Sequence, residues 1–185
     1  MTDDIIASTQ DEMAKAVESL KRELAKVRTG RANLAILEDI TVDYYGQATP
    51  LNQVASLKIA DPRLIKIKPW EKNMVGPIEK AILGGDIGLT PSNDGEVVRL
   101  PIPPLTQERR EQLAKQVRKI GEEARVAVRT HRRDGNDLLK DAESDATITE
   151  DDMRRGMAKV QSLTDDFIAK IDDTIAKKEQ EILNG

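Results

Sequence analysis

The chain has 185 residues, 34% of them charged and 2% aromatic, with no cysteine and a net charge of −4. That length can bury a core as one domain or two small ones, and the missing cysteine excludes a disulfide framework, a thiolate metal site and a cysteine nucleophile. No stretch approaches the ~20 apolar residues that span a bilayer, and the acidic start Met1-Thr2-Asp3-Asp4 reverses the basic start of a signal peptide, so a soluble cytoplasmic protein without membrane partners is expected.

Residues 3–28 read as a helix. Ile6, Gln10, Met13, Val17, Leu20, Leu24 and Val27 step by four and three alternately, an apolar seam broken only at Gln10. The pattern stops at Thr29-Gly30. Residues 31–105 change period. Ile40, Val42 and Tyr44 alternate with Thr41, Asp43 and Tyr45, which predicts a strand, and Gly46 turns the chain. Two further strands are expected at 54–59 and 64–68, split by Asp61-Pro62. Met74 to Leu83 predicts a short helix closed by Gly84-Gly85. A last strand covers 96–100, and Pro101-Ile102-Pro103-Pro104 stops both helix and sheet.

A second long helix is expected over 107–142. Thr106 is its N-cap and Glu108 suits the positive end of the dipole. Its seam runs through Leu113, Val117, Ile120, Ala124, Ala127/Val128, His131, Gly135, Leu138 and Ala142. After a turn at 147–149, Thr149 and Asp152 resemble a capping box. A third helix then runs to about Leu183 along Met153, Met157, Val160, Leu163/Thr164, Phe167, Ile171, Ile175 and Ile182. None of the three could bury its seam alone, so they imply one bundle. The expected fold class is α+β, a three-helix bundle with an inserted small β-rich (β/α/β) domain. Residues 1–30 and 106–185 make the bundle and 31–105 the insertion. Hinges fall near 29–31 and 101–106, at Thr29 and Gly30 and at Pro101, Pro103, Pro104 and Thr106.

The net charge hides an asymmetry. Residues 106–140 carry ten basic and six acidic groups, net +4, while residues 141–185 carry six and twelve, net −6. On a helical wheel with Arg125 at zero, Arg118 falls at about 20°, Arg129 at about 40° and Arg132 at about −20°. Arg133 sits near 80°, and the apolar seam centres near 250°. The stripe from Arg118 to Arg132 is about 21 Å long, enough to meet several phosphates, and the arginine fork suits bidentate phosphate contact. Such a run is ordinarily a solvated face balanced by neighbouring acids. Here only Glu122 lies within the stripe, so a polyanionic partner stands beside that reading. With so few aromatics, stacking on single-stranded bases is disfavoured, and structured RNA met through its backbone fits better.

No catalytic constellation emerges. His131 is the only histidine and lies on the seam, as a core-edge residue would. Without a second histidine or a cysteine, the usual triads and zinc sites cannot be assembled. Glu150-Asp151-Asp152 complements a helix dipole more simply than it binds a metal. Gly84-Gly85-Asp86-Ile87-Gly88 follows a helix rather than a strand and lacks the Lys-Ser/Thr of a phosphate loop. Trp70 reads equally as an interface residue or a cap on the core. No enzyme, metal or cofactor is expected. The rival class is a coiled-coil adaptor or co-chaperone that binds protein through its seams.

Lys26-Val27-Arg28-Thr29-Gly30-Arg31-Ala32 resembles a signature of the bacterial ribosome recycling factor family. So do Tyr44-Tyr45-Gly46, Glu79-Lys80-Ala81-Ile82, the run from Arg99 to Thr106, Arg125-Val126-Ala127-Val128-Arg129, Arg132-Arg133-Asp134 and Glu150-Asp151-Asp152. The likeness covers essentially the whole chain. It implies an L-shaped two-domain molecule that works as a monomer. The role it implies is to split the post-termination ribosome into subunits, together with elongation factor G and that factor's GTP hydrolysis. The implied partners are 23S-type RNA of the large ribosomal subunit and elongation factor G. Carried over from the family's motifs, Arg28, Arg31, Arg129, Arg132 and Arg133 join Arg118 and Arg125 of the stripe as expected RNA contacts.

Overall fold

The computed structural model describes residues 1–184. In chain order the elements are α1 (Thr2–Ala25), β1 (Thr41–Tyr44), β2 (Gln47–Pro50), α2 (Leu51–Val54), β3 (Ala55–Asp61), β4 (Leu64–Pro69), α3 (Val75–Gly84), β5 (Ser92–Asn93), β6 (Val98–Pro101), α4 (Gln107–Ser144) and α5 (Glu150–Asn184). The chain divides into two compact units. One comprises Met1–Leu24 with Ala114–Glu181, and the other, among the described residues, Ala25–Leu113 with 182–184.

The helical unit is held by three apolar seams. Met13, Val17 and Leu20 of α1, Val117, Ala124, Val128 and Leu139 of α4 and Val160, Phe167, Ile171 and Ile175 of α5 are all buried. Four seam positions differ from the sequence reading, one of them Gly156 of α5, buried where Met157 was expected and is half-buried. Thr9 is buried where Gln10 was expected, Gly121 where Ile120 was, and Leu139 where Leu138 was; Gln10 and Leu138 are exposed and Ile120 is half-buried. The small residues explain two of these shifts. A Cβ on Gly135 would stand 2.5 Å from Thr9 Oγ1, and one on Gly121 would stand 2.7 Å from Ile175 Cγ1. The helices approach too closely there for a larger side chain on both sides. Thr9 keeps its buried hydroxyl satisfied by donating to Ile5 O at 2.8 Å, which removes the desolvation cost of an unpaired polar group.

The turn between α4 and α5 is short, which makes them antiparallel neighbours. Ala146 takes a left-handed backbone (φ 58°), and Thr147 N donates to Ala142 O at 2.9 Å, a tight C-terminal closure. The expected capping box follows. Asp152 N donates to Thr149 Oγ1 at 3.1 Å and Thr149 N to Asp152 Oδ2 at 3.2 Å. Hydrogen bonding to Thr149, through the side chain first and the backbone second, holds the Asp152 carboxyl below its usual value. Its stabilisation is present above the ordinary aspartate range and lost as pH falls through the lowered one. Thr149→Ala should cost about 1 kcal/mol of stability in urea unfolding and should blunt that acid dependence. Thr106 caps α4 as expected, its Oγ1 accepting from Arg109 N at 3.1 Å.

In the other unit, β1 and β2 form a hairpin whose turn residues Tyr45 (φ 49°) and Gly46 (φ 85°) both lie in the left-handed region, as a type I′ turn requires. Asp43 Oδ1 secures it by accepting from Gly46 N at 2.8 Å. An antiparallel sheet of order β3-β4-β6-β5 follows. On β4, Ile65 and Ile67 are fully buried while Lys66 and Lys68 are exposed, the alternation of a sheet with one covered face. Val98 and Leu100 of β6 join them in a core with Val42, Ile78 and Ile82. The proline segment stops pairing later than expected. Pro101 still pairs with Leu64, and Ile102 N donates to Arg63 O at 2.8 Å; a proline costs the ladder only its own donor. Gly85 closes α3 with a negative φ (−81°), so it is not the left-handed cap the sequence suggested; Asp86 (φ 53°) takes that role. A Cβ on Gly85 would press on Ile40 Cδ1, so a larger residue there would have to shift the end of that side chain.

Candidate nucleic-acid interface

The seam buries one side of α4 and leaves its arginines outward. Arg118, Arg129 and Arg133 are exposed, and Arg125 and Arg132 half-buried. Their surroundings correct the sequence reading in one respect. Glu122 is not the only acid beside the stripe, because α5 supplies two more. Arg118 Nε donates to Glu179 Oε1 at 2.6 Å, and Arg125 Nε to Asp172 Oδ1 at 2.7 Å. Arg125 also reaches Glu122 at 3.2 Å, and Arg129 lies 3.5 Å from the same carboxylate. Burial pulls the Arg125 pKa down, and the hydrogen bonds to Asp172 and Glu122 outweigh it and hold it above the ordinary value.

The pairing follows from spacing. Arg118, Arg125 and Arg132 are seven residues apart, as are Asp165, Asp172 and Glu179. On antiparallel helices those two series face each other in reverse order, so the ladder was readable from the sequence once the helices were set side by side. A wheel drawn for α4 alone cannot show acids that another helix brings.

The ladder loosens toward the C-terminal half of α4. Arg132 meets no carboxylate among the described residues; its Nη1 donates to Gln161 Oε1 at 3.5 Å, the limit of a hydrogen bond. Arg133 is exposed and makes no ion pair among the described residues. The uncompensated positive charge therefore concentrates at Arg132 and Arg133, not evenly along the stripe. Asn136, one turn on, has a buried Oδ1 without a hydrogen-bond partner.

Arg28 and Arg31 belong to the other unit. Arg31 is exposed, and Arg28 is half-buried with its Nε unpartnered. Both follow the end of α1 at Ala25, earlier than the predicted end, because Asn33 Nδ2 takes the Ala25 carbonyl at 3.0 Å. Thr29 is buried, and Gly30 adopts φ 80° with Leu105 packed against it. Pro101, Pro103, Pro104 and Thr106 are all exposed.

The other sequence candidates resolve simply. His131 is half-buried on α4. No cluster of histidine and acids able to hold a metal occurs among the described residues, and no helix there is long and apolar enough to cross a membrane. Trp70 is 68% exposed, so it does not cap the core. The adjacent Glu71 accepts from the hydroxyls of Tyr44 and Tyr45, each at 2.9 Å.

The model of the family described as "Ribosome recycling factor" matches residues 20–183. The chain belongs to the ribosome recycling factor family. It is 54% identical over 184 residues to the ribosome-recycling factor of Carboxydothermus hydrogenoformans, covering all of both chains. It is 53% identical to that of Geobacillus kaustophilus, over 99% of each. Among solved structures, it is similar to a solution structure of the ribosome recycling factor, with TM-score 0.81 and 39% identity over 100% of this chain and 98% of that one. A second similar chain comes from models of the T. thermophilus ribosome recycling factor and E. coli elongation factor G bound to the E. coli post-termination complex, with TM-score 0.68 and 45% identity over 99% of each chain. Family membership decides against the coiled-coil adaptor. The seams such an adaptor would offer are in any case buried within the helical unit.

Proposed function

We propose that this protein acts in the cytoplasm as a monomeric, non-catalytic ribosome recycling factor. With elongation factor G and GTP it splits the post-termination ribosome into subunits, which frees mRNA and tRNA for another round of translation. The full-length family match carries this reading. The arginine face of α4 supplies a physical means, since backbone electrostatics anchor a protein on structured RNA without reading its sequence.

The proposed RNA contacts are, in the helical unit, Arg118, Arg125, Arg129, Arg132 and Arg133 and, separately in the other unit, Arg28 and Arg31. Their contributions differ. Arg132 and Arg133 meet phosphate without breaking an ion pair, whereas Arg118 and Arg125 must first give up Glu179 and Asp172. Cosedimentation with large ribosomal subunits across a salt series tests the reading. Affinity should fall steeply with salt, and binding insensitive to salt would remove the electrostatic anchor.

The second part of the proposal is mechanical. Residues 1–30 and 106–185 act as the anchored body and 31–105 as a domain that elongation factor G pushes, with pivots near 29–31 and 101–106. The prolines stiffen the second connection, since a fixed φ limits the directions in which it can yield. Replacing Pro103 and Pro104 together by glycine should leave large-subunit binding intact and slow subunit splitting, followed by light scattering. Splitting at the unmodified rate would defeat the lever.

A further inference from the structure

We propose that Gln161 is a positioning residue that keeps Arg132 available to an RNA phosphate by denying it the acidic partner that closes the other rungs of the ladder. This rests on the reading of Arg132 as an RNA contact.

Register sets the pattern. Arg118 pairs with Glu179 and Arg125 with Asp172. Each step is seven residues forward on α4 and seven back on α5, about two helical turns. The next rung would join Arg132 to Asp165. That aspartate is present and exposed, yet no such pair forms. Gln161, one turn before Asp165 on α5, intervenes. Its Nε2 donates to Asp165 Oδ1 at 2.9 Å, and its Oε1 accepts from Arg132 Nη1 at 3.5 Å. One amide thereby does two things. It ties one oxygen of the Asp165 carboxylate to its own helix, and it offers the guanidinium a neutral acceptor at the edge of hydrogen-bond range.

The chemistry of the side chain decides the outcome. An amide can donate to an acid and accept from an arginine at once. Glutamate would accept from Arg132 with full charge and would repel Asp165. A short apolar side chain would release Asp165 to reach Arg132 itself. In either case Arg132 would have to break a charged pair before meeting phosphate, and charge-assisted hydrogen bonds are the strong ones. The weak amide contact holds the side chain in place and leaves its charge unspent.

The test uses the full chain and purified bacterial large ribosomal subunits, with affinity measured across a salt series. Gln161→Glu should bind about tenfold more weakly, with the slope of log affinity against log salt reduced by about one. Gln161→Ala should bind severalfold more weakly. Asp165→Asn placed in that background should restore binding, a rescue that loss of packing alone would not produce. Gln161 is exposed, so thermal unfolding of each variant should match the parent. Wild-type affinity for Gln161→Glu, beside a weakened Arg132→Ala, would overturn the proposal and leave the RNA reading standing. Failure of Asp165→Asn to rescue would do the same. Unchanged binding by Arg132→Ala would overturn both.

Discussion

Leu139→Ala should lower the unfolding free energy by about 2–5 kcal/mol, while Leu138→Ala, its immediate neighbour, should change it by less than about 0.5 kcal/mol. The contrast arises because Leu139 is fully buried and Leu138 is 51% exposed. Leu139 faces α5 at Gly156, where a Cβ would lie 3.0 Å from Leu139 Cδ2. Truncation there opens a cavity that two long, capped helices cannot readily close. Urea unfolding followed by helical circular dichroism measures both variants. Equal effects would mean that the seam of α4 runs between the two leucines.

That pair of leucines shows where sequence reading reached its limit. The helices, their caps at Thr106 and Thr149 and the hairpin turn at Tyr45-Gly46 all carry local signals, and local signals survive in any context. The seam of α4 does not. Ala124, Val128, Gly135 and Ala142 are buried where the period places them, but the period alone does not choose between adjacent residues such as Leu138 and Leu139, which depends on what the neighbouring helices bring opposite them. Apolar periodicity also passes over Gly121 and Thr9, which lie in the interface because they are small. Short elements were missed for a related reason. Strand β5 has two residues and α2 four, too few for any period to register. The arginine stripe was legible as a face but not as an electrostatic object. Its charge is set by Asp172, Glu179 and Gln161, which enter only through the tertiary pairing of α4 with α5.

Arg132→Ala combined with Arg133→Ala should weaken large-subunit binding by at least about 2 kcal/mol, roughly thirtyfold in Kd. Each guanidinium is expected to contribute about 1–3 kcal/mol as a charge-assisted hydrogen bond, and neighbouring contacts need not add. The salt slope should fall by about two. Arg118→Ala combined with Arg125→Ala removes the same formal charge but should weaken binding less. Those two arginines must break their pairs with Glu179 and Asp172 before they can meet phosphate, so their contacts contribute less, and the comparison is also made in a background carrying Glu179→Gln and Asp172→Asn, where no freed carboxylate repels phosphate. For Arg125, which is 22% exposed, part of the effect should appear in stability instead, because it is half-buried and its loss leaves Asp172 without its partner. Comparing the two double variants on folded protein therefore separates total charge from available charge. Equal losses of affinity would show that the acids of α5 yield freely when the protein meets RNA, and the ladder would then have no bearing on which arginines anchor it.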